Sequence, residues 1–169
     1  DHTGTLWVGT DNDGIYAVTP DKTPKVHFSP TDNTHSVPAT IMSIFEDSNH
    51  NMWIGSYLNG MARLDTKTGR CEYLKLVDET SNLMENVYCF AEDNNKTLWI
   101  GTMGGGLYQM NINTKEIVRC PTTTTSNTDW TKVNMLHNSW INCLLHTAED
   151  KLYIGTYDGL GCLDIKTMD

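Results

Sequence analysis

The sequence lacks the features of several common classes of protein. No run of about 18 consecutive apolar residues occurs in its 169 residues, so we expect no direct insertion into a membrane. A basic and apolar leader is also absent, and we expect any targeting signal to lie outside this sequence. Lys and Arg number 12 against 21 Asp and Glu, for a net charge of −9, and they form no cluster. Because a binder of phosphate backbones needs a positive surface, we expect no nucleic acid partner.

Signatures of catalysis and of metal binding are equally scarce. No Gly-x-Ser-x-Gly or other nucleophile–base motif appears, although such a motif would be expected in many hydrolases. The six histidines form no pair at positions i and i+4. Asp11 to Gly14 resemble the start of a calcium-binding loop, but the glutamate that normally ends such a loop is missing. The sequence therefore predicts no catalytic residue, no metal ligand and no cofactor.

What the sequence does contain is an internal repeat. A motif of the form Leu/Met-Trp/Tyr-Ile/Val-Gly-Thr/Ser occurs four times, at residues 6–10, 52–56, 98–102 and 152–156. Its aromatic positions are 46, 46 and 54 residues apart. Short segments rich in β-branched and aromatic residues surround each copy, and Gly, Asn, Asp and Thr separate them. Four short strands in a unit of about 46 residues are typical of a β-propeller blade.

The register of the repeat predicts the architecture. The chain is expected to be all-β, a partial β-propeller of about three and a half four-stranded blades, with three, four, four and three strands. Residues 1–169 would form one fragment of a propeller domain, with an insertion at 121–139 that accounts for the longer last interval. The blades are expected at approximately 1–29 (incomplete), 41–76, 87–120 and 140–169 (incomplete).

Residues that recur at the same position of every repeat are interpreted as structural. Trp7, Trp53 and Trp99 are expected in the core, and the aspartates six residues before them are expected to hold a turn through backbone hydrogen bonds. Carboxylate pairs such as Glu46-Asp47 also recur, whereas a glycosidase needs one pair in one cleft.

The five cysteines show neither Cys-x-x-Cys nor Cys/His metal spacing. Cys89 and Cys143 occupy equivalent positions of the repeat. We expect them to be small buried core residues rather than disulfides or ligands. Cysteine usage of this kind alone would favour the cytosol.

The apolar strand ending in Glu-Asp, the Leu-Trp-Ile-Gly-Thr motif and the Gly-Gly-Leu hairpin together resemble the two-component regulator propeller repeat. Residues 87–111 carry the resemblance best, from Val87 through Leu98 to Thr102 and on to Asn111. It implies the periplasmic sensor region of a hybrid two-component histidine kinase of the Bacteroidetes type, anchored in the inner membrane by parts outside this sequence. It also implies detection of oligosaccharides released from complex polysaccharides.

Candidate ligand-binding residues are expected in the loops that join the second and third strands and in the insertion. Aromatic rings can stack on the apolar faces of sugars, and Asn or Asp can bind sugar hydroxyl groups. Trp140, which directly precedes a strand, is expected to anchor the insertion to the core instead. The candidates are Trp130, Tyr57, Asn59, Tyr157 and Asp158.

A sensing role is therefore the leading hypothesis, and this segment is not expected to be an enzyme. Two alternatives remain open, a fragment of a propeller-type carbohydrate-active lyase or hydrolase and a protein-interaction scaffold. In the parent protein the remaining propeller blades are expected to cover the open faces of the first and last blades. An isolated fragment is expected to self-associate, because exposed apolar faces favour association.

Overall fold

A computed structural model of the chain describes residues 1–21, 24–30, 35–77, 84–120 and 139–167. These residues contain fourteen strands and no helix. The strands are β1 (Leu6–Gly9), β2 (Ile15–Val18), β3 (Pro24–Phe28), β4 (Ile41–Glu46), β5 (Met52–Ser56), β6 (Met61–Leu64), β7 (Cys71–Leu74), β8 (Val87–Glu92), β9 (Thr97–Thr102), β10 (Leu107–Asn111), β11 (Ile117–Arg119), β12 (Ile141–His146), β13 (Lys151–Thr156) and β14 (Gly159–Asp164).

The strands form four separate antiparallel sheets, β1–β3, β4–β7, β8–β11 and β12–β14, each paired in chain order. The prediction of three, four, four and three strands is confirmed. The chain divides into two compact units. The first unit contains the first two sheets with Val87, and the second contains the last two sheets from Tyr88 onward.

An aspartate holds the turn between the first two strands of a sheet. In the second sheet, Asp47 Oδ1 accepts hydrogen bonds from the backbone N–H groups of Asn49 and Asn51, at 2.9 and 2.8 Å. Its Oδ2 accepts from the indole N–H of Trp53, at 2.8 Å. Asp93 repeats the arrangement in the third sheet, and Asp1 makes the equivalent bonds in the turn before β1. These aspartates therefore have the turn-forming role that the repeat predicts.

The fourth sheet replaces this aspartate–tryptophan pair. Thr147 stands where the other sheets have aspartate, and Tyr153 stands where they have tryptophan. The Thr147 hydroxyl is buried and makes no hydrogen bond among the described residues. Tyr153 is 36% exposed, whereas Trp53 and Trp99 are each 1% exposed.

The glycine of the repeated motif lies where the next sheet approaches closely. A Cβ atom on Gly101 would lie 2.7 Å from Ile141 Cγ2 and 2.4 Å from Cys89 Sγ. Gly9 meets Ile41, and Gly55 meets Val87, in the same way. A side chain at these positions would collide with the first strand of the following repeat, which explains why the motif requires glycine there.

Two residues that the repeat predicts to be buried are more exposed than expected. Trp7 is only partly buried, although its ring stacks on Phe28 at a centroid distance of 6.1 Å. Cys143 is exposed, whereas the equivalent Cys89 is buried in a cluster with Ile141. Trp7 faces the second sheet and packs against the core cluster there, but it lies on an edge strand, whereas Trp53 and Trp99 each lie on a strand with a partner on both sides. Cys143 lies on a face of the fourth sheet that no described residue covers.

The remaining cysteines divide in the same way, and none of the five forms a disulfide. Cys71 and Cys120 are buried, and Cys162 is exposed. Burial raises the pKa of the Cys71 and Cys89 thiols to about 12 and that of Cys120 to about 11. These three thiols are therefore protonated and unreactive near neutral pH.

Candidate functional site

The hairpin between β5 and β6 presents two of the candidate residues in the first unit. Tyr57 is 45% exposed and Asn59 is exposed. Leu58 between them has a φ of 67°, and its N–H donates to Asn86 Oδ1 at 2.9 Å. The N–H of Gly60 donates to the carbonyl of Glu85 at 2.7 Å. The segment leading into β8 therefore fixes the conformation of this hairpin.

The hairpin between β13 and β14 presents two more candidates in the second unit. Tyr157 is 67% exposed, and its N–H donates to the carbonyl of Trp140 at 3.2 Å. Asp158 is exposed, and its N–H donates to Thr156 Oγ1 at 3.2 Å. Both side chains therefore face solvent on a turn that is held by the Thr156 hydroxyl and by the carbonyl of Trp140.

Trp140 lies beside Tyr157 instead of anchoring into the core. It is 43% exposed, and the two rings meet edge to face with centroids 5.4 Å apart and an interplanar angle of 82°. Its position is set by the neighbouring hairpin, because Ser139 accepts hydrogen bonds from Gly104 and Gly106, both at 2.9 Å. We call the pair Trp140 and Tyr157 the aromatic corner.

The aromatic corner offers two apolar ring surfaces at nearly a right angle, with the Asp158 carboxylate in the adjacent position of the hairpin. Such surfaces suit a ligand with apolar faces and hydroxyl groups at its edges. Trp130 and residues 121–138 of the predicted insertion lie outside the described residues. Tyr57 and Asn59 belong to the first unit and the aromatic corner to the second, so each hairpin stands as a separate candidate.

A further group of polar side chains was missed by the sequence analysis. His2, Glu46 and His50 lie together in the first unit, with one ligand atom of each within 4.8 Å of the others. The sequence holds a partial signal, because Glu46 and His50 are four residues apart. His2 comes from the preceding repeat, and a search for histidine pairs alone does not find it.

Glu46 is the centre of this group. Burial raises its pKa, but hydrogen bonds from the side chain and backbone of His2 and from the His50 side chain lower it, and the net pKa lies below the ordinary value. Glu46 is therefore a carboxylate at neutral pH, and it can accept hydrogen bonds or bind a cation.

Comparison with known proteins agrees with this architecture. The sequence profile described as Two component regulator propeller matches residues 37–58 and 84–104. No curated protein matches the chain.

Several solved structures share the fold. The extracellular domain of the hybrid two component system BT3049 from B. thetaiotaomicron is 24% identical, with a TM-score of 0.74 over 98% of this chain and 20% of that one. The extracellular domain of the hybrid two component system BT4673 from the same organism is 20% identical, with a TM-score of 0.77 over 100% of this chain and 23% of that one. The computationally designed Ika4 protein is 15% identical, with a TM-score of 0.61 over 96% of this chain and 86% of that one.

The chain spans about a fifth of the length of the two extracellular domains. At these identities the likeness concerns the fold, and the predicted partial β-propeller is confirmed. Residues 37–58 and 84–104 therefore match the two-component regulator propeller profile, and the chain that contains them has a propeller fold.

Proposed function

We propose that this chain is part of the extracytoplasmic, ligand-sensing propeller of a hybrid two-component sensor histidine kinase. The proposal depends on the agreement of a sequence-profile match with a structural match. Two of the repeats match the two-component regulator propeller profile, and the same fold occurs in extracellular domains of hybrid two component systems. The segment would bind a signal and would not itself catalyse a reaction.

A periplasmic location follows from this proposal, with the parent protein anchored in the inner membrane. No helix capable of crossing a membrane occurs in the part of the chain that the structure describes. The anchor would therefore be supplied by another part of the parent protein.

The ligand that we propose is an oligosaccharide released from a polysaccharide. The aromatic corner supports this ligand class, because its two rings are exposed, fixed in place by backbone hydrogen bonds and adjacent to Asp158. Tyr57 and Asn59 are a second candidate contact of the same chemical type. A ring that buries about 50 Å² of apolar surface against the ligand contributes about 1 kcal/mol at about 25 cal/mol per Å², so the loss of one ring should weaken binding several-fold.

The parent reading frame provides the first test. The proposal requires further propeller repeats, a membrane-spanning segment and a histidine kinase in the same polypeptide. A reading frame that lacks the membrane segment and the kinase would contradict it. Turnover of an oligosaccharide by the intact propeller would favour the alternative hypothesis that the chain is a fragment of a carbohydrate-active lyase or hydrolase.

Calorimetric titration of the purified protein with oligosaccharides from partially digested polysaccharides tests the site. We expect Tyr157→Ala and Trp140→Ala each to weaken binding up to about tenfold. Tyr73→Ala is the matched control, because Tyr73 is also partly exposed but lies on a strand. Equal losses in all three variants would contradict a site at the aromatic corner.

A further inference from the structure

Three side chains in the first unit have the composition and placement of a metal site. His2 lies in the turn before β1, Glu46 ends β4, and His50 lies in the turn between β4 and β5. His50 Nδ1 is 3.1 Å from Glu46 Oε1, and His2 Nδ1 contacts the same oxygen. We propose that His2, Glu46 and His50 bind a divalent transition-metal ion, with Zn²⁺ as the reference ion.

The three side chains are already held near the arrangement that an ion needs. The backbone N–H of His2 donates to Glu46 Oε2 at 2.7 Å, which orients the carboxylate. The two imidazole rings stack with centroids 3.7 Å apart and an interplanar angle of 29°. His50 has a φ of 63°, and its N–H donates to the carbonyl of Asp47 at 2.8 Å. Little conformational freedom therefore remains to be lost when an ion binds.

The donor set determines which ions are suitable. Two imidazole nitrogens and one carboxylate oxygen suit Zn²⁺, Ni²⁺ and Cu²⁺, whereas Mg²⁺ and Ca²⁺ prefer oxygen ligands alone. A tetrahedral Zn²⁺ ion holds its ligands about 2.1 Å away and thus about 3.4 Å from one another. The three atoms lie within 4.8 Å of one another, so small side-chain rotations would complete the geometry. The histidine side chains are about half exposed, at 50 and 56%, which leaves room for a water ligand.

The other repeats supply an internal comparison. In the second unit the same corner of the repeat is formed by Asn94, His146 and Asp150. There Asn94 Nδ2 donates to Asp150 Oδ1 at 2.5 Å, and Lys166 Nζ lies 3.0 Å from Asp150 Oδ2.

In the third sheet, too, a lysine lies beside a carboxylate. At the position equivalent to His50 it has Lys96, whose Nζ lies 3.8 Å from Glu92 Oε1. In both of these copies an ammonium group faces the carboxylate. Among the described residues, Glu46 pairs only with the two histidines. The first corner therefore keeps the carboxylate but replaces the built-in cation with two metal-binding side chains.

The ion would connect the first two sheets. His2 precedes the first strand of the first sheet, and Glu46 and His50 flank the first turn of the second sheet. Because a folded-state ligand stabilises the fold that it binds, the ion would raise the stability of the first unit. The inference does not depend on the oligosaccharide proposal, since it concerns other residues.

Titration of the tag-free full chain with Zn²⁺ in a calorimeter tests the site. We expect one equivalent to bind and the melting temperature to rise with Zn²⁺ concentration. His2→Ala, Glu46→Gln and His50→Ala should each weaken this binding at least tenfold, because loss of even an outer-shell partner of a metal site typically costs 10- to 100-fold. His27→Ala is the matched control, since His27 is an exposed histidine of the same unit beside Asp13.

Substitution of Co²⁺ for Zn²⁺ separates this site from binding by the five free cysteines. Thiolate ligation gives intense near-ultraviolet charge-transfer absorption, and a histidine–carboxylate site gives only weak visible bands. We expect visible bands that disappear in His50→Ala and persist in His27→Ala. Failure of the wild type to bind Zn²⁺, unchanged binding in all three site variants, or a thiolate spectrum would each overturn the proposal.

Discussion

Replacement of Asp47 by Asn, a side chain of nearly the same shape, removes two of the four hydrogen bonds that the Asp47 carboxylate accepts in the turn between β4 and β5. Oδ1 of Asp47 accepts from the backbone N–H groups of Asn49 and Asn51. Oδ2 accepts from Asn51 Nδ2 at 2.9 Å and from the indole N–H of Trp53 at 2.8 Å. An asparagine has one acceptor oxygen and one NH₂ group. In either orientation, therefore, two donors face an NH₂ group and lose their partner.

The expected cost follows from burial. Asp47 is 2% exposed and Trp53 is 1% exposed, so water does not replace the lost partner. Hydrogen bonds to a charged group contribute about 1.5–3 kcal/mol each. Part of this loss is offset, because a buried charge no longer has to be desolvated. We expect Asp47→Asn to lower the free energy of unfolding by about 3 kcal/mol, or the melting temperature by about 6–12 °C.

The same substitution at Asp1 is the matched control. Asp1 makes equivalent bonds to Thr5 and Trp7, but it is exposed and Trp7 is only partly buried. Water can satisfy the donors there, so Asp1→Asn should cost less than about 1 kcal/mol. Urea unfolding at one fixed protein concentration, monitored by circular dichroism, compares the two variants. Equal losses, or a loss below about 1 kcal/mol for Asp47→Asn, would refute the assignment of this carboxylate as the support of the turn.

Three further predictions concern packing, pH and association. In thermal unfolding, Gly101→Ala should cost about 1–3 kcal/mol of folding stability, because the new Cβ atom would meet Ile141. Gly155→Ala should cost less, because the Cβ atom there would meet mainly the exposed Cys143 thiol. Equal costs for the two variants would contradict this account. The raised pKa values of the three buried thiols mean that their stabilising effect is complete below about pH 9 and is lost as the pH rises towards 11–12. Wild-type stability should therefore fall more steeply above pH 9 than that of a variant with alanine at all three positions, and parallel curves would exclude this linkage. Light scattering on the isolated chain should give about twice the 19.0 kDa monomer mass, and a folded monomer at micromolar concentration would rule self-association out.

The basis of the association prediction is visible in single residues. Leu160 of the fourth sheet is 73% exposed, whereas the equivalent Ile15 and Leu107 are 0 and 1% exposed. Leu6 of the first sheet is 63% exposed, whereas the equivalent Met52 and Leu152 are 4 and 0% exposed. Equivalent positions of the repeat are thus buried where they belong to a cluster within one unit and exposed where no described residue covers them. Exposed apolar surface of this kind favours association with a further repeat or a second copy.

The number and order of the strands could be predicted from the sequence because the repeat makes one pattern visible four times. The role of Asp47 followed from the same recurrence. Burial could not be predicted from the repeat, since Trp7 and Cys143 have the same motif environment as buried equivalents, but Trp7 lies on an edge strand and Cys143 lies on a face that no described residue covers. The contact of His2 with Glu46 escaped prediction for a related reason, because it joins side chains of different repeats 44 residues apart.

Residues that recur in every repeat stabilise the fold. Functional residues are therefore expected at positions where the repeats differ. The position after the Ser or Thr of the motif illustrates this, since it is Asp11, Tyr57, Met103 or Tyr157 in the four copies. The preceding hydroxyl donates to the carbonyl of the hairpin glycine in all four copies, although the fourth turn is one residue shorter, so this hydrogen bond is constant while the side chain that follows varies. Binding specificity can therefore change at such positions at little cost in folding stability. The aromatic corner and the two histidines beside Glu46 are both departures from the repeat, and this is why ligand and metal binding are best sought there.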